Sequence, residues 1–208
     1  MSGYFITLEG IDGSGKTTQV NLLEKKLTNL GKKVISTREP GGVEGAEEIR
    51  NLLVQGVHDR WSPVTETLLF FAARRHHLEK CILPALNSGA IVICDRFTDS
   101  TMVYQGGKNS HLIRLISELN SLVVEIEPDL TLVIDVDPKN SLSRGLTRKS
   151  KENRYEMFGL EFQKNAKLRY EALAKEMKRC HLIDGNNSID TTHELIWNIV
   201  SEHLRLNS

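Results

Sequence analysis

Gly10-Ile11-Asp12-Gly13-Ser14-Gly15-Lys16-Thr17 decides the fold. It fits the spacing G-x-x-x-x-G-K-[ST]. Ahead of it Tyr4–Leu8 is short, apolar and β-prone, and behind it Thr17–Leu27 carries apolar residues at helical spacing. A strand that feeds a glycine-rich loop that feeds a helix is the context in which this spacing binds phosphate. The glycines let successive N–H groups turn inward on an anion, and the helix N-terminus adds the positive end of its dipole. Lys16 is placed to bridge β- and γ-phosphates. The Thr17 hydroxyl is placed to ligate Mg²⁺, a hard cation that prefers oxygen. The loop, from Gly10 through Thr18, predicts a bound nucleoside triphosphate. It does not say what the phosphate is used for.

The bulk properties narrow the class. A chain of 208 residues is long enough to bury a full core and fits a single α/β domain over 1–208. Lys plus Arg balances Asp plus Glu at 27 each, so the formal net charge is zero, which argues against nucleic-acid and polybasic membrane partners. The three cysteines, Cys81, Cys94 and Cys180, are isolated and read as reduced, buried thiols. The opening residues show no basic, apolar leader pattern, and no apolar run reaches about eighteen residues, so a soluble, cytoplasmic protein is expected.

Apolar β-rich runs alternate with helical patterns along the chain. Strands are expected at Tyr4–Glu9, Lys33–Arg38, Ala90–Asp95, Leu130–Asp135 and Cys180–Ile183. Helices are expected at Lys16–Leu30, Glu44–Leu53, Val64–Leu86, Leu112–Glu125, Ser141–Arg148, Glu161–Lys178 and Thr191–Leu206. Continuous runs such as Ile91-Val92-Ile93 suit strands buried on both faces of a parallel sheet. The alternation predicts the α/β fold of a P-loop NTPase, a doubly wound sheet of five parallel strands flanked by helices. Ligands of such sheets bind beyond the carboxyl ends of the strands, so the residues just after each strand carry the function.

After the second strand, Arg38-Glu39-Pro40-Gly41-Gly42 combines a rigid bend with a charged pair. In the long third helix Phe70 and Arg74 are four apart, on one face, a ring that can stack beside a side chain that can hydrogen-bond. Spacing alone favours a core Phe and a solvated Arg there. His76 and His77 are adjacent and diverge on a helix, so they are not read as metal ligands. The third strand ends in Asp95-Arg96. Asp95 is placed to orient Mg²⁺ or its waters, and Arg96 to fork onto a phosphate. Ser100, Tyr104 and Gln105 follow, with hydrogen-bonding and stacking groups suited to a base, or equally a polar turn with a glycine hinge. From Ser141 to Tyr155, Arg144, Arg148, Lys149, Lys151 and Arg154 face a single acid, Glu152. Such a run suits a short lid, about 144–156, that brings positive charge to a transferring phosphoryl group and excludes water.

Taken together, the Leu8–Thr18 loop, the Arg38–Gly42 turn, Leu69-Phe70-Phe71-Ala72-Ala73-Arg74, Asp95-Arg96 with Ser100, and Tyr104-Gln105-Gly106 resemble the thymidylate kinases over nearly the whole chain. The resemblance implies ATP-dependent phosphorylation of dTMP to dTDP with Mg²⁺. It implies that Asp12 approaches the acceptor sugar, that Phe70 stacks on thymine and Arg74 contacts it, and that Arg96 and Arg38 meet the 5′-phosphate. Ser100 and Gln105 would face the base, Tyr104 would lie near the deoxyribose, and Glu39, Pro40 and Gly41 would close the acceptor pocket. Gly13 stands where some members carry a loop arginine, so the catalytic arginine is expected from the lid, Arg148 or Arg154, with Arg144 against adenine. A homodimer through helices of the Val64–Leu86 kind is implied by the same analogy. A guanine-nucleotide switch is disfavoured, because the chain holds no Asn-Lys dipeptide and no Asp-x-x-Gly after the loop. A kinase for a different acceptor keeps the same loop with a different pocket.

Overall fold

A computed structural model describes residues 3–57, 59–146 and 159–206. The strands are β1 (Tyr4–Glu9), β2 (Val34–Arg38), β3 (Ile91–Asp95), β4 (Leu130–Asp135) and β5 (Cys180–Asp184). They form one sheet in the order β2-β3-β1-β4-β5, every neighbouring pair parallel. The five-stranded parallel sheet is the one expected from the apolar runs. The chain leaves β1 toward β2 and β3 on one side and returns to the other side for β4. The loop after β1 therefore lies where the winding reverses, which is where a doubly wound sheet opens a crevice.

Helices α1 (Lys16–Asn29), α2 (Glu44–Val54), α3 (Pro63–His77), α4 (Leu83–Asn87), α5 (Thr98–Thr101), α6 (Ser110–Leu119), α7 (Pro138–Leu146), α8 (Gly159–Glu176) and α9 (Ile189–His203) connect the strands. Side chains alternate across a strand, so the sheet divides its apolar residues between two layers. Ile6, Leu8 and Ile93 pack with Leu23 and Leu27 of α1, Tyr170 of α8, and Ile196 and Val200 of α9. Phe5, Val92 and Cys94 pack on the opposite face with Phe71 of α3, Leu78, Ile82 and Ile116 of α6. Burial on both faces is why these strands read as unbroken apolar runs.

The expected helix Val64–Leu86 forms, from Pro63 to Asn87, with one widened turn inside it. α3 passes into a wider π-type turn at Leu78–Ile82, where the Leu83 N–H reaches back to the Leu78 carbonyl, before α4 begins. Pro84 has no N–H and crowds the preceding turn, so a wider loop of backbone absorbs it. The start of α3 matches its sequence: Pro63 occupies the first helical position, and the Ser62 hydroxyl accepts from the Thr65 N–H at 3.2 Å. α7 begins at Pro138 rather than Ser141, because Asp137 caps it, accepting from the Lys139 N–H at 2.8 Å. The stretch for which a polar turn is one of two readings is helical, with α5 running into a π-type turn at Met102–Gly106, and Thr98 to Thr101 are buried. Cys81 departs from the expected burial; it is half-exposed, while Cys94 and Cys180 are buried. Among the described residues no helix is long and apolar enough to cross a membrane.

Leu132 of β4 is fully buried in the first apolar layer. Leu132→Ala should lower the unfolding free energy by about 2–5 kcal/mol, seen as a lower urea midpoint with an unchanged slope.

Candidate active site

The parallel register sets the carboxyl ends of three strands level. Asp95 at the end of β3 pairs with Leu8 of β1 on one side and Arg38 of β2 on the other. The phosphate loop, the Asp95-Arg96 corner and the Arg38–Gly42 turn consequently open on one cleft of about 330 Å³. Its walls include Asp12, Lys16, Thr17, Arg38, Glu39, Pro40, Phe70, Arg74, Arg96, Ser100, Tyr104 and Gln105. All of these were candidates from the sequence.

On the phosphate-loop side, the Lys16 ammonium is buried and donates to the carbonyls of Gly10 at 3.1 Å and Ile11 at 2.9 Å. Burial, helped by the nearby Arg96, draws its pKa down to about 8, although Asp95 and Asp12 oppose this. It stays largely charged at neutral pH. Thr17 Oγ1 donates to Asp95 Oδ2 at 2.6 Å, which brings a hydroxyl at the start of α1 and a carboxylate at the end of β3 together. Two hard oxygen donors side by side fit Mg²⁺, and they are the two residues expected to hold it. Gly13 has φ 77, and a Cβ there would stand 2.2 Å from the Ser141 carbonyl oxygen of α7. The loop can curl this tightly against α7 only without a side chain.

Arg96 joins the two halves of the cleft. Its backbone is left-handed, with φ 73, a costly conformation for a residue with a side chain. The strain turns the guanidinium back over the loop. It donates to the Gly10 carbonyl at 3.0 Å, Asp12 at 2.5 Å and Ser100 Oγ at 3.0 Å, and it lies over the Tyr104 ring. Burial would raise the Asp12 carboxyl, but Arg96 and Lys16 together hold it below its ordinary value. Beneath Arg96 sits Glu9, fully buried at the end of β1. It accepts from the Phe97 N–H at 2.7 Å, Ser100 Oγ at 2.5 Å and the Tyr170 hydroxyl at 3.1 Å. Burial and the neighbouring Asp99 push its pKa up to about 7.

The other wall is a buried charge cluster. Arg74 is 2% exposed, so it is not the solvated arginine that spacing favoured. Its Nε donates to Glu39 at 2.6 Å and its Nη2 to the Phe97 carbonyl and Thr101 Oγ1. Among the described residues Nη1 has no hydrogen-bond partner, and it is buried. Glu39 also accepts from His77 Nδ1 at 3.1 Å, while His77 Nε2 lies 2.7 Å from Thr37 Oγ1. Burial opposes charge on His77, but hydrogen bonds to Cys81 and Glu39 raise its pKa to about 9. A Cβ on Gly42 would stand 2.5 Å from both His77 Nε2 and Thr37 Oγ1, so the glycine lets the turn close over this pair. Arg38 lies outside the cluster and is half-exposed, paired with Glu47 at 3.0 Å. Phe70 is half-buried on the cleft wall.

Several site residues carried no sequence signal. Glu9 looked like the last residue of an apolar strand. Tyr170 lies on α8, far along the chain, at an ordinary core spacing. Arg50 of α2 donates to the Pro40 carbonyl at 2.6 Å and lines the cleft. Arg148 and Arg154 lie outside the described residues, as does the Arg144 side chain.

A phosphate cradle facing a second cationic, aromatic-walled pocket in one cleft defines the class of P-loop phosphotransferases that act between two nucleotides. A family model described as Thymidylate kinase matches residues 8–196. A thymidylate kinase of Jannaschia sp. (strain CCS1) is 52% identical over 205 residues, covering 98% of this chain and 99% of that relative. One of Ruegeria pomeroyi (strain ATCC 700808 / DSM 15171 / DSS-3) is 50% identical over 204 residues, covering 98% of this chain and 97% of that relative. The crystal structure of thymidylate kinase from Ehrlichia chaffeensis matches with a TM-score of 0.76 at 37% identity, over 96% of this chain and 99% of that one. The chain belongs to the thymidylate kinase family.

His77 titrates above the ordinary histidine value of about 6.5, so its charge supports the fold fully below that pH. The support is lost as pH rises through about 9. Thermal melting followed across that window should fall less steeply in His77→Gln than in the parent.

Proposed function

We infer that the protein transfers the γ-phosphoryl group of ATP to the 5′-phosphate of dTMP, giving ADP and dTDP. One observation carries the reading. Arg96 spans from the phosphate loop, through Gly10 and Asp12, to the acceptor-side residues Ser100 and Tyr104. Two polyanions can approach tip to tip only where fixed cations lie between them.

The loop amides of Gly10 to Thr18 and the Lys16 ammonium hold the β- and γ-phosphates of ATP. Mg²⁺, held by Thr17 and Asp95, would supply further positive charge at those oxygens. Arg96, with Arg38 swinging from Glu47, meets the acceptor phosphate. Phe70 stacks on the base, while Arg74, Ser100 and Gln105 hydrogen-bond to the acceptor, and Glu39 and Pro40 close the pocket. Asp12 and Tyr104 meet the sugar. Asp12 stays ionised there because Arg96 and Lys16 favour its charged form. No general base is needed, since a phosphate monoester is already largely ionised near neutral pH. Catalysis then rests on positioning and charge, completed by Arg148 or Arg154 from the lid, with Arg144 against adenine.

The single-domain organisation and a cytoplasmic location fit this reading. A homodimer across α3 fits as well, where Val64 and Leu68, four residues apart, remain exposed at 39% and 47%.

The direct test is ADP release with ATP and Mg²⁺, comparing dTMP, dUMP, CMP and AMP. dTMP should be the best acceptor, and ATP consumption at the same rate without any acceptor would defeat the assignment. Arg96→Ala should lower kcat/KM for dTMP by about 10²–10³ with ATP affinity nearly intact. A collapse of ATP affinity instead would remove Arg96 from the acceptor phosphate. Arg148→Ala and Arg154→Ala, made separately, should show a kcat loss in at least one.

A further inference from the structure

Glu66, Phe70 and Arg74 follow one another at intervals of four along α3, so they form one stripe on the helix. Phe70 and Arg74 line the cleft. Glu66 reaches it indirectly: its Oε1 accepts a hydrogen bond from Gln105 Nε2 at 2.8 Å, and Gln105 is itself a wall of the cleft. A carboxylate oxygen accepts and does not donate, so the branch of the amide turned to Glu66 is the NH₂. The two branches of a primary amide diverge. Binding the nitrogen to Glu66 therefore commits the carbonyl oxygen to the other direction.

We propose that Glu66 is a positioning residue that sets base selectivity, by holding the Gln105 amide with its carbonyl oxygen toward the acceptor's pyrimidine edge. The proposal rests on the reading above in which Gln105 and Arg74 meet the base. Thymine and uracil present an N3–H donor and an O4 acceptor. Cytosine presents the reverse, an N3 acceptor and an N4 amino donor. Arg74 can only donate, and its buried Nη1 has no hydrogen-bond partner among the described residues. An acceptor at Gln105 and a donor at Arg74 match thymine and uracil at both positions and oppose cytosine at both. Rotating the amide by half a turn would bring its NH₂ to N3 and relieve one of the two conflicts. The Glu66 contact prevents that rotation, because it would set the Gln105 carbonyl against a carboxylate. Leaving a buried donor or acceptor mismatched weakens binding by roughly fivefold to a hundredfold, so one such constraint is worth about tenfold in discrimination.

The test is steady-state kinetics with dTMP, dUMP and dCMP on the parent, Glu66→Gln and Gln105→Ala. The amide in Glu66→Gln keeps the volume but can donate or accept, so it tolerates either orientation of Gln105. Its ratio of kcat/KM for dTMP over dCMP should fall by about tenfold or more, through a lower KM for dCMP. The ratio for dTMP over dUMP, the KM for ATP and the melting temperature should stay where they are. A purely structural Glu66 would weaken all three acceptors alike, and an unmoved dTMP-to-dCMP ratio overturns the proposal. Gln105→Ala separates the two levels. If it leaves the KM for dTMP unchanged, Gln105 does not face the base and the underlying reading fails there. If it raises that KM while the Glu66→Gln ratio is unmoved, the positioning role alone fails.

Discussion

The contact between the Arg96 guanidinium and the phosphate loop is the interaction on which the acceptor side of the site depends. It places a permanent positive charge between the Gly10 carbonyl, Asp12 and Ser100. A lysine could not make this set of contacts, because a planar fork with five donors is required to reach them together. The geometry is maintained under strain. Arg96 holds a left-handed backbone, and its N–H is tied to the Leu8 carbonyl at 2.9 Å. Strain of this kind persists only where the surroundings over-determine it. Here they do so through β1, β3 and the buried Glu9 beneath.

Two buried acids support the cleft from behind. Glu9 gathers Phe97, Ser100 and Tyr170, while Glu39 gathers Arg74 and His77. Neither acid is an isolated buried charge, since each is surrounded by donors, which is the condition under which burial is tolerated. They also differ. Glu9 is surrounded mainly by neutral donors and its pKa rises to about 7, whereas Glu39 sits between two cationic groups. One wall is thus a hydrogen-bonded scaffold and the other an ion cluster. Both hold donor-bearing side chains in place around the cleft.

α3 concentrates this division of labour. Within one helix face it carries the residue that holds Gln105, the ring on the cleft wall and the buried arginine. The same helix ends in His77, which fixes the Arg38–Gly42 turn through Glu39 and Thr37. A helix is rigid at the spacing of one turn, so the stripe presents its groups in a fixed register. That rigidity is what the proposed selection of a base by hydrogen-bond polarity would rely on.

The sequence by itself determined the strands: β1, β3 and β4 are buried along nearly their whole length and read as apolar runs, while the edge strands β2 and β5 are shorter on apolar residues and half-exposed. It also determined the phosphate loop, because glycine, lysine and hydroxyl spacing is dictated by an anion of known size. Asp12, Arg38 and Arg96 were legible because they lie at or just past strand ends, whereas Phe70, Arg74 and Gln105 were marked as cleft residues by the family resemblance rather than by their spacing. Only the tertiary structure decided the sheet order, the burial of Arg74, and the contacts made by Glu9, Tyr170 and Glu66. These depend on partners dozens of residues or more away, such as Tyr170 against Glu9 and Gln105 against Glu66. Local periodicity records which face of an element is apolar. It carries no record of which distant polar group will be brought against that face when the chain closes.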